Sequence, residues 1–125
     1  MVIPAAIREQ LRAHAREALP GEACGVVVLE DDRAVRYERG RNASRSPYRF
    51  NLELDPEVWF LEDEGYELAV FHSHPASEPR PSRTDLANVG LWEGRPYLIV
   101  RADNGELRGW RIVGDAVTEE PLADQ

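Results

Sequence analysis

The sequence predicts an α+β fold, a mixed β-sheet flanked by about three helices. Three observations carry that expectation. Apolar residues recur at helical spacing near the N-terminus, after Asp55 and after Ser82. Runs rich in β-branched and aromatic residues, bounded by Gly, Pro, Asn and Asp, lie between and beyond them. Their order is helix, three strands, helix, strand, helix, three strands, without the strict alternation of a doubly wound sheet.

The first helix spans Pro4 to Ala18, where Ile7, Leu11, Ala15 and Ala18 share a face and most charged residues lie elsewhere. Pro20-Gly21 ends it. His14, alone within this helix, reads as a surface or satisfied histidine. Glu22 to Leu29 follows as a central strand with Glu22 at its entrance, and Cys24 reads as a small core residue. Glu30 to Arg33 is a polar turn and Ala34 to Arg39 the return strand of a hairpin. After a loop from Gly40 to Pro47, the alternation of Tyr48, Phe50, Leu52 and Leu54 with polar residues predicts a half-buried strand. Asp55-Pro56 starts the second helix, and Gly65 stops it. Glu67 to His74 is a buried strand broken by Pro75. Ser82 opens a third helix through about Trp92, and Pro96 to Arg101, Glu106 to Val113 and Ala116 to Glu119 are three closing strands.

Composition narrows the function. The 125 residues, 42% of them hydrophobic, suffice for one domain, 1–125, with its own core. A net charge of -8 disfavours general binding to nucleic acid or to an anionic membrane. All fifteen cationic residues are Arg and none is Lys, so the chain offers no lysine for isopeptide conjugation. Six arginines lie between Arg33 and Arg49, with Glu38 the sole acid there. That interval is either a solvated strand face or an electropositive docking surface. A single cysteine forms no internal disulfide, the N-terminus lacks the apolar core of a signal peptide, and no run is long enough to span a membrane. The expected location is cytoplasmic. Trp59 and Trp92 are expected in the core; exposed, they would mark a homodimer surface.

The chemistry concentrates in Phe71-His72-Ser73-His74-Pro75 and the stretch that follows to Asp85. Two histidines at i and i+2 on a strand point to one face. A carboxylate from the next element completes a three-ligand site with an open position, as in hydrolytic zinc centres. A helix capping box explains Ser82-Arg83-Thr84-Asp85 but leaves two imidazoles at the end of a buried strand unexplained. A facial-triad iron site fits less well, because the close pair here is His-x-His and the carboxylate comes later. A zinc deaminase lacks its Pro-Cys-x-x-Cys element. In the hydrolytic reading His72, His74 and Asp85 bind Zn2+, and water in the fourth position becomes acidic. Glu22 can accept a proton if its strand adjoins the histidine strand, and the Ser82 hydroxyl can stabilise an oxyanion.

Glu22, His72-Ser73-His74, seven intervening residues and Ser82-Arg83-Thr84-Asp85 resemble the motif of the JAMM (MPN+) metalloproteases, with every functional position filled. Pro75, Pro81 and the Glu22-Ala23-Cys24-Gly25 entrance also stand where that family has them. The resemblance implies a JAMM/MPN fold similar to cytidine deaminases, zinc as cofactor, and hydrolysis of an amide or isopeptide bond. It implies Glu22 as general acid/base, His72, His74 and Asp85 as zinc ligands, and Ser82 as the stabiliser of the tetrahedral intermediate. Asn42 to Phe50 with Asp55-Pro56 resembles the small bacterial branch, which acts on ubiquitin-like sulfur-carrier proteins ending in Gly-Gly. Those members remove a conjugated protein or a C-terminal amino acid such as cysteine. The larger eukaryotic members carry ubiquitin-gripping insertions that this short chain lacks. The competing expectation is a non-catalytic MPN-type scaffold or interaction module, whose mark would be lost zinc ligands.

Overall fold

The computed structural model describes residues 1–44 and 50–124. Its elements are α1 (Ala5–Ala18), β1 (Cys24–Glu30), β2 (Arg33–Arg39), β3 (Arg41–Asn42), β4 (Leu52–Glu53), a 3-10 segment (Pro56–Glu64), β5 (Glu67–His74), α2 (Arg83–Ala87), a 3-10 turn (Gly90–Trp92), β6 (Pro96–Arg101), β7 (Leu107–Val113) and β8 (Ala116–Glu120). Six strands form one mixed sheet in the order β2-β1-β5-β6-β7-β8, and β3 pairs with β4 beside it. The β5–β6 pair is parallel and its crossover carries α2; the other neighbours run antiparallel.

Both faces of the sheet are covered, which is why β1 and β5 read as unbroken apolar runs. On one face, Ile7, Leu11 and Ala15 of α1 pack with Val27, Leu29, Ala69, Phe71, Leu98 and Val100. On the other, Val26, Val28, Leu68, Val70, Tyr97 and Ile99 meet Val58 of the 3-10 segment, Trp92 and Trp110. His72 and His74 continue the second set by strand parity, and Ser73 continues the first. Among the described residues no helix is long and apolar enough to cross a membrane.

Turn chemistry sets the hairpins. Asp31 and Asp32, at φ 50 and 64, place two left-handed residues between β1 and β2, as a two-residue hairpin turn requires. Gly25 solves a different problem on β1. Tyr37 crosses it to meet Phe71 edge-on at 5.4 Å and to share a 2.7 Å hydrogen bond with His14. Burial keeps the Tyr37 phenol neutral and, with Arg39, lowers the pKa of His14, which is thus a satisfied structural histidine.

Three elements depart from expectation. The strand expected over Tyr48 to Leu54 pairs only at Leu52–Glu53, opposite Asn42 and Arg41; Tyr48 and Arg49 lie outside the described residues. The segment after Asp55 is 3-10 rather than α, although Asp55 caps it by accepting from the Glu57 N–H at 3.0 Å and Gly65 stops it at φ 98. Val58 and Leu61, three apart, face the core together, which suits three residues per turn. The helix from Ser82 ends at Ala87, because the Asn88 amide donates to the Thr84 carbonyl and Gly90 turns left-handed at φ 51. A short turn then drives Trp92 inward and leaves Leu91 exposed.

Trp59, half-buried, and Trp92, buried, stack at 5.1 Å beneath Arg95 and pack with the second core cluster. In the arginine-rich interval, Arg36, Arg39 and Arg41 pair with Glu38, Glu17 and Glu53, as on a solvated face. Arg45 and Arg49 lie outside the described residues.

A Cβ at Gly25 would stand 2.5 Å from both the Glu38 carbonyl oxygen and the Tyr37 hydroxyl. Gly25→Ala is therefore expected to destabilise the fold by about 1–3 kcal/mol through overpacking. Urea denaturation at constant m-value measures this, and an unchanged midpoint would contradict the close approach.

Candidate metal centre

The site forms where β1 enters and β5 leaves the sheet. Cys24, first in β1, is paired across the ladder with His72. One step earlier the pairing continues through a side chain: the Ala23 N–H donates to Ser73 Oγ at 2.8 Å, and the Ser73 N–H donates to the Ala23 carbonyl at 3.0 Å. Glu22, the next residue back, is thereby brought against the histidines from fifty positions upstream. Its own carbonyl accepts from Asn42 Nδ2 at 2.8 Å. Asn42 Oδ1 accepts from the Ser44 and Asn51 N–H groups, both at 2.9 Å, so one amide ties both ends of the loop between β3 and β4 to the base of Glu22.

His72, His74, Glu22 and Asp85 are each at most 4% exposed. Phe50 stacks on the His72 ring at 4.3 Å and Tyr97 meets it edge-on at 5.4 Å. The loop after Pro75 is held by Trp110 Nε1, which donates to the Pro79 carbonyl at 2.8 Å. Asp85 belongs to a capping box. Its Oδ2 accepts from the Ser82 N–H at 2.9 Å, and its own N–H donates to Ser82 Oγ at 3.0 Å. Ser82 uses a lone pair for that cap, so its O–H remains available to donate.

The contacts among these groups fit a cation. His74 Nδ1 lies 2.7 Å from the Glu78 carbonyl, which can only accept, so the proton sits on Nδ1 and Nε2 of the neutral ring is bare. That bare nitrogen faces Asp85 Oδ2 at 3.1 Å, and His72 Nε2 faces the same oxygen at 3.5 Å. Lone pairs converging at such distances need a positive charge among them. A tetrahedral metal with bonds of about 2.0–2.2 Å to nitrogen and oxygen spaces its ligand atoms roughly 3.3 Å apart. Glu22 Oε1 lies 3.3 Å from His72 Nδ1, and neither that oxygen nor either His72 ring nitrogen has a hydrogen-bond partner among the described residues. Glu22, His72 and His74 also bring ligand atoms within 4.8 Å of one another. The histidine pair is thus flanked by two carboxylates, Asp85 against the Nε2 atoms and Glu22 at the Nδ1 edge of His72.

Without a metal, a proton does the balancing. Burial opposes charge on His74, but hydrogen bonding to Asp85 and to the Glu78 carbonyl raises its pKa above 6.5 overall. Burial likewise opposes charge on Asp85, but His74, His72 and the Ser82 N–H hold its pKa below 3.8. Cys24 takes no part in this chemistry: burial, and then Glu22, push its thiol up to about 12.

An open groove of about 800 Å³ runs over the site, lined by Glu22, His74 and Ser82 together with Pro20, Pro75 to Ser77, Arg83 and Thr84. All five residues singled out from the sequence come together, Glu22, His74 and Ser82 on the groove and His72 and Asp85 buried behind it. The sequence assigns no role to Ser73 or Trp110, and it singles out Asn42 and Phe50 only within the segment that resembles the small bacterial branch. Ser73 carried a signal, a hydroxyl that follows Ala69 and Phe71 on the α1-facing side of the strand.

A family model described as "Prokaryotic homologs of the JAB domain" matches residues 4–113. The chain is 39% identical to the CysO-cysteine peptidase of Mycobacterium tuberculosis over 130 aligned positions, covering 98% of this chain and 89% of that one. It is 34% identical to the desampylase of Haloferax volcanii, covering 93% and 90%. A protein from Desulfitobacterium hafniense, known from its solution structure, superposes with a TM-score of 0.80 at 30% identity, covering 99% and 92%.

The protonated pair predicts a pH signature for the chelator-treated protein. The raised His74 contributes stability fully present below pH 6.5 and lost as pH rises through its folded pKa. The lowered Asp85 contributes stability fully present above pH 3.8 and lost as pH falls through its folded pKa. Asp85→Asn should therefore destabilise most between those two values, in urea denaturation run from acid to alkaline pH. A penalty that does not vary with pH would refute the pairing.

Proposed function

The chain belongs to the prokaryotic JAB-domain family of JAMM hydrolases, and from that membership we propose that it is a zinc metallopeptidase, residues 1–125 acting as one catalytic domain, which cleaves the amide or isopeptide bond after the C-terminal Gly-Gly of a ubiquitin-like or sulfur-carrier protein. The observation that carries this reading is the convergence of both histidine Nε2 atoms on one Asp85 oxygen, beside a Glu22 oxygen without a hydrogen-bond partner on the groove wall. The substrate class is supported by the relatives, which are named for a peptidase and a desampylase. The cytoplasm is the compartment proposed, since the lone Cys24 is buried as a free thiol.

His72, His74 and Asp85 would hold the metal, with Asp85 preferred to Glu22 because its Oδ2 faces both Nε2 atoms. When bound, zinc would polarise the scissile carbonyl and lower the pKa of water toward about 7. Glu22 accepts the proton of the attacking water and returns it to the leaving nitrogen, so the C–N bond breaks to a carboxylic acid and an amine. Ser82 donates its free hydroxyl proton to the oxyanion of the tetrahedral intermediate while its lone pair keeps the helix cap. The Glu78 carbonyl fixes the His74 tautomer, and Phe50 and Tyr97 fix the plane of His72. Asn42 holds Glu22 through its backbone, which limits the freedom of the catalytic carboxylate.

The test is to incubate the zinc-loaded protein with Gly-Gly-ended carriers, conjugated or extended by one residue, and identify products by mass. Cleavage after Gly-Gly that a chelator abolishes is the expected result, and chelator-insensitive cleavage would overturn the metal's role. Glu22→Gln should retain zinc, read by metal analysis, while kcat falls by about 10²- to 10⁴-fold. Full activity in that variant would contradict the proton-transfer assignment.

A further inference from the structure

Thirteen of the fifteen arginines lie among the described residues, Arg45 and Arg49 being the exceptions. Twelve of the thirteen have a partner. Arg8 and Arg12 donate to carbonyls, Arg80 lies over Trp110, and Arg33 is engaged as well. Arg16, Arg36, Arg39, Arg41, Arg95, Arg101, Arg108 and Arg111 pair with carboxylates. Arg83 alone among the described arginines has neither an ion pair, a side-chain hydrogen bond nor a ring contact. It is exposed, it opens α2, and it lines the groove shared by Glu22, His74 and Ser82.

We infer that Arg83 reads the free α-carboxylate of a single residue attached after Gly-Gly, making the protein a remover of one C-terminal amino acid in preference to an isopeptidase. The inference rests on the peptidase function proposed above and specifies its leaving group. In a one-residue extension, the carboxylate stands one Cα from the leaving nitrogen, so it enters the groove together with the scissile bond. In an isopeptide, four methylenes separate the leaving nitrogen from the lysine main chain, whose carboxyl is itself consumed in a peptide bond. Arg83 would then face no anion. The other side chains that line the groove with Arg83 are Glu22, His74, three hydroxyl residues, two prolines and an alanine, so no second side chain there is permanently cationic. In a protein of net charge -8, an anionic leaving group needs such a local cation. A guanidinium also matches a carboxylate with two parallel hydrogen bonds, which gives direction as well as charge.

Three synthetic peptides test this: one ending Gly-Gly-Cys as the free acid, the same peptide as its C-terminal amide, and Gly-Gly joined to Nε of a blocked lysine. For the zinc-loaded full chain, kcat/KM for the acid should exceed that for the amide by about 10- to 100-fold, the scale of a hydrogen-bonded charge pair. Arg83→Ala should collapse that ratio towards one, and Arg83→Lys should restore part of it. Calorimetry with metal-loaded Glu22→Gln supplies a reading without turnover: the acid should bind more tightly than the amide, and adding Arg83→Ala should erase the difference. Equal treatment of acid and amide by the wild type, equal loss on both after Arg83→Ala, or preference for the isopeptide would each overturn the inference while leaving the peptidase reading intact. Failure to cleave any of the three peptides would sink the peptidase reading instead, and calorimetry would still decide for or against Arg83.

Discussion

The register between β1 and β5 is the constraint on which the site depends. Cys24 opposite His72, extended by the two hydrogen bonds between Ala23 and Ser73, sets how far Glu22 reaches along the histidine strand. Side chains alternate faces along a strand, so a slip by one residue would turn the apolar sets of β1 to the wrong layers. Val27 and Leu29 under α1, and Val26 and Val28 on the opposite face, resist such a slip from both sides. The same hydrophobic packing that stabilises the sheet thus also delivers a carboxylate to the candidate metal centre.

Burying two imidazoles and two carboxylates is costly unless each charge is answered. Here the answers come in layers. Asp85 is held by a helix cap, His74 by a carbonyl, His72 by flanking aromatic rings, and Glu22 through its main chain. Among the described residues the buried side-chain atoms left without hydrogen bonds are Glu22 Oε1 and the two ring nitrogens of His72, all of them within the site. The arrangement keeps polarity where chemistry requires it and spends ordinary structural contacts on everything behind it.

Much of this was legible in the sequence because local signals and tertiary demands agreed. The strands Glu67–His74 and Pro96–Arg101 matched their expected limits, since β-branched runs bounded by Gly or Pro leave little choice. The α+β class followed from the order of the elements, and the family and the hydrolytic character from five residues at set spacing. Where the reading failed, periodicity was serving another element. Tyr48 to Leu54 alternates like a strand, yet among its described residues Phe50 is committed to His72 and only Leu52–Glu53 pairs. Apolar spacing past Ala87 looked helical, but Asn88 and Gly90 break the chain so that Trp92 can turn inward. The supporting residues were harder still, because a side chain that acts by bonding to a distant backbone leaves no periodic trace.

Asn42 shows how finely such a residue can be specified. Its amide oxygen serves the loop and its amide nitrogen serves Glu22, so the two ends of one small group meet opposite demands. Aspartate, its nearest match in shape, would keep the two acceptor contacts and set an anion against the Glu22 carbonyl. Hydrolysis of this one side chain to aspartate, with release of ammonia, would therefore leave both ends of the loop anchored and the main chain of Glu22 without its tie.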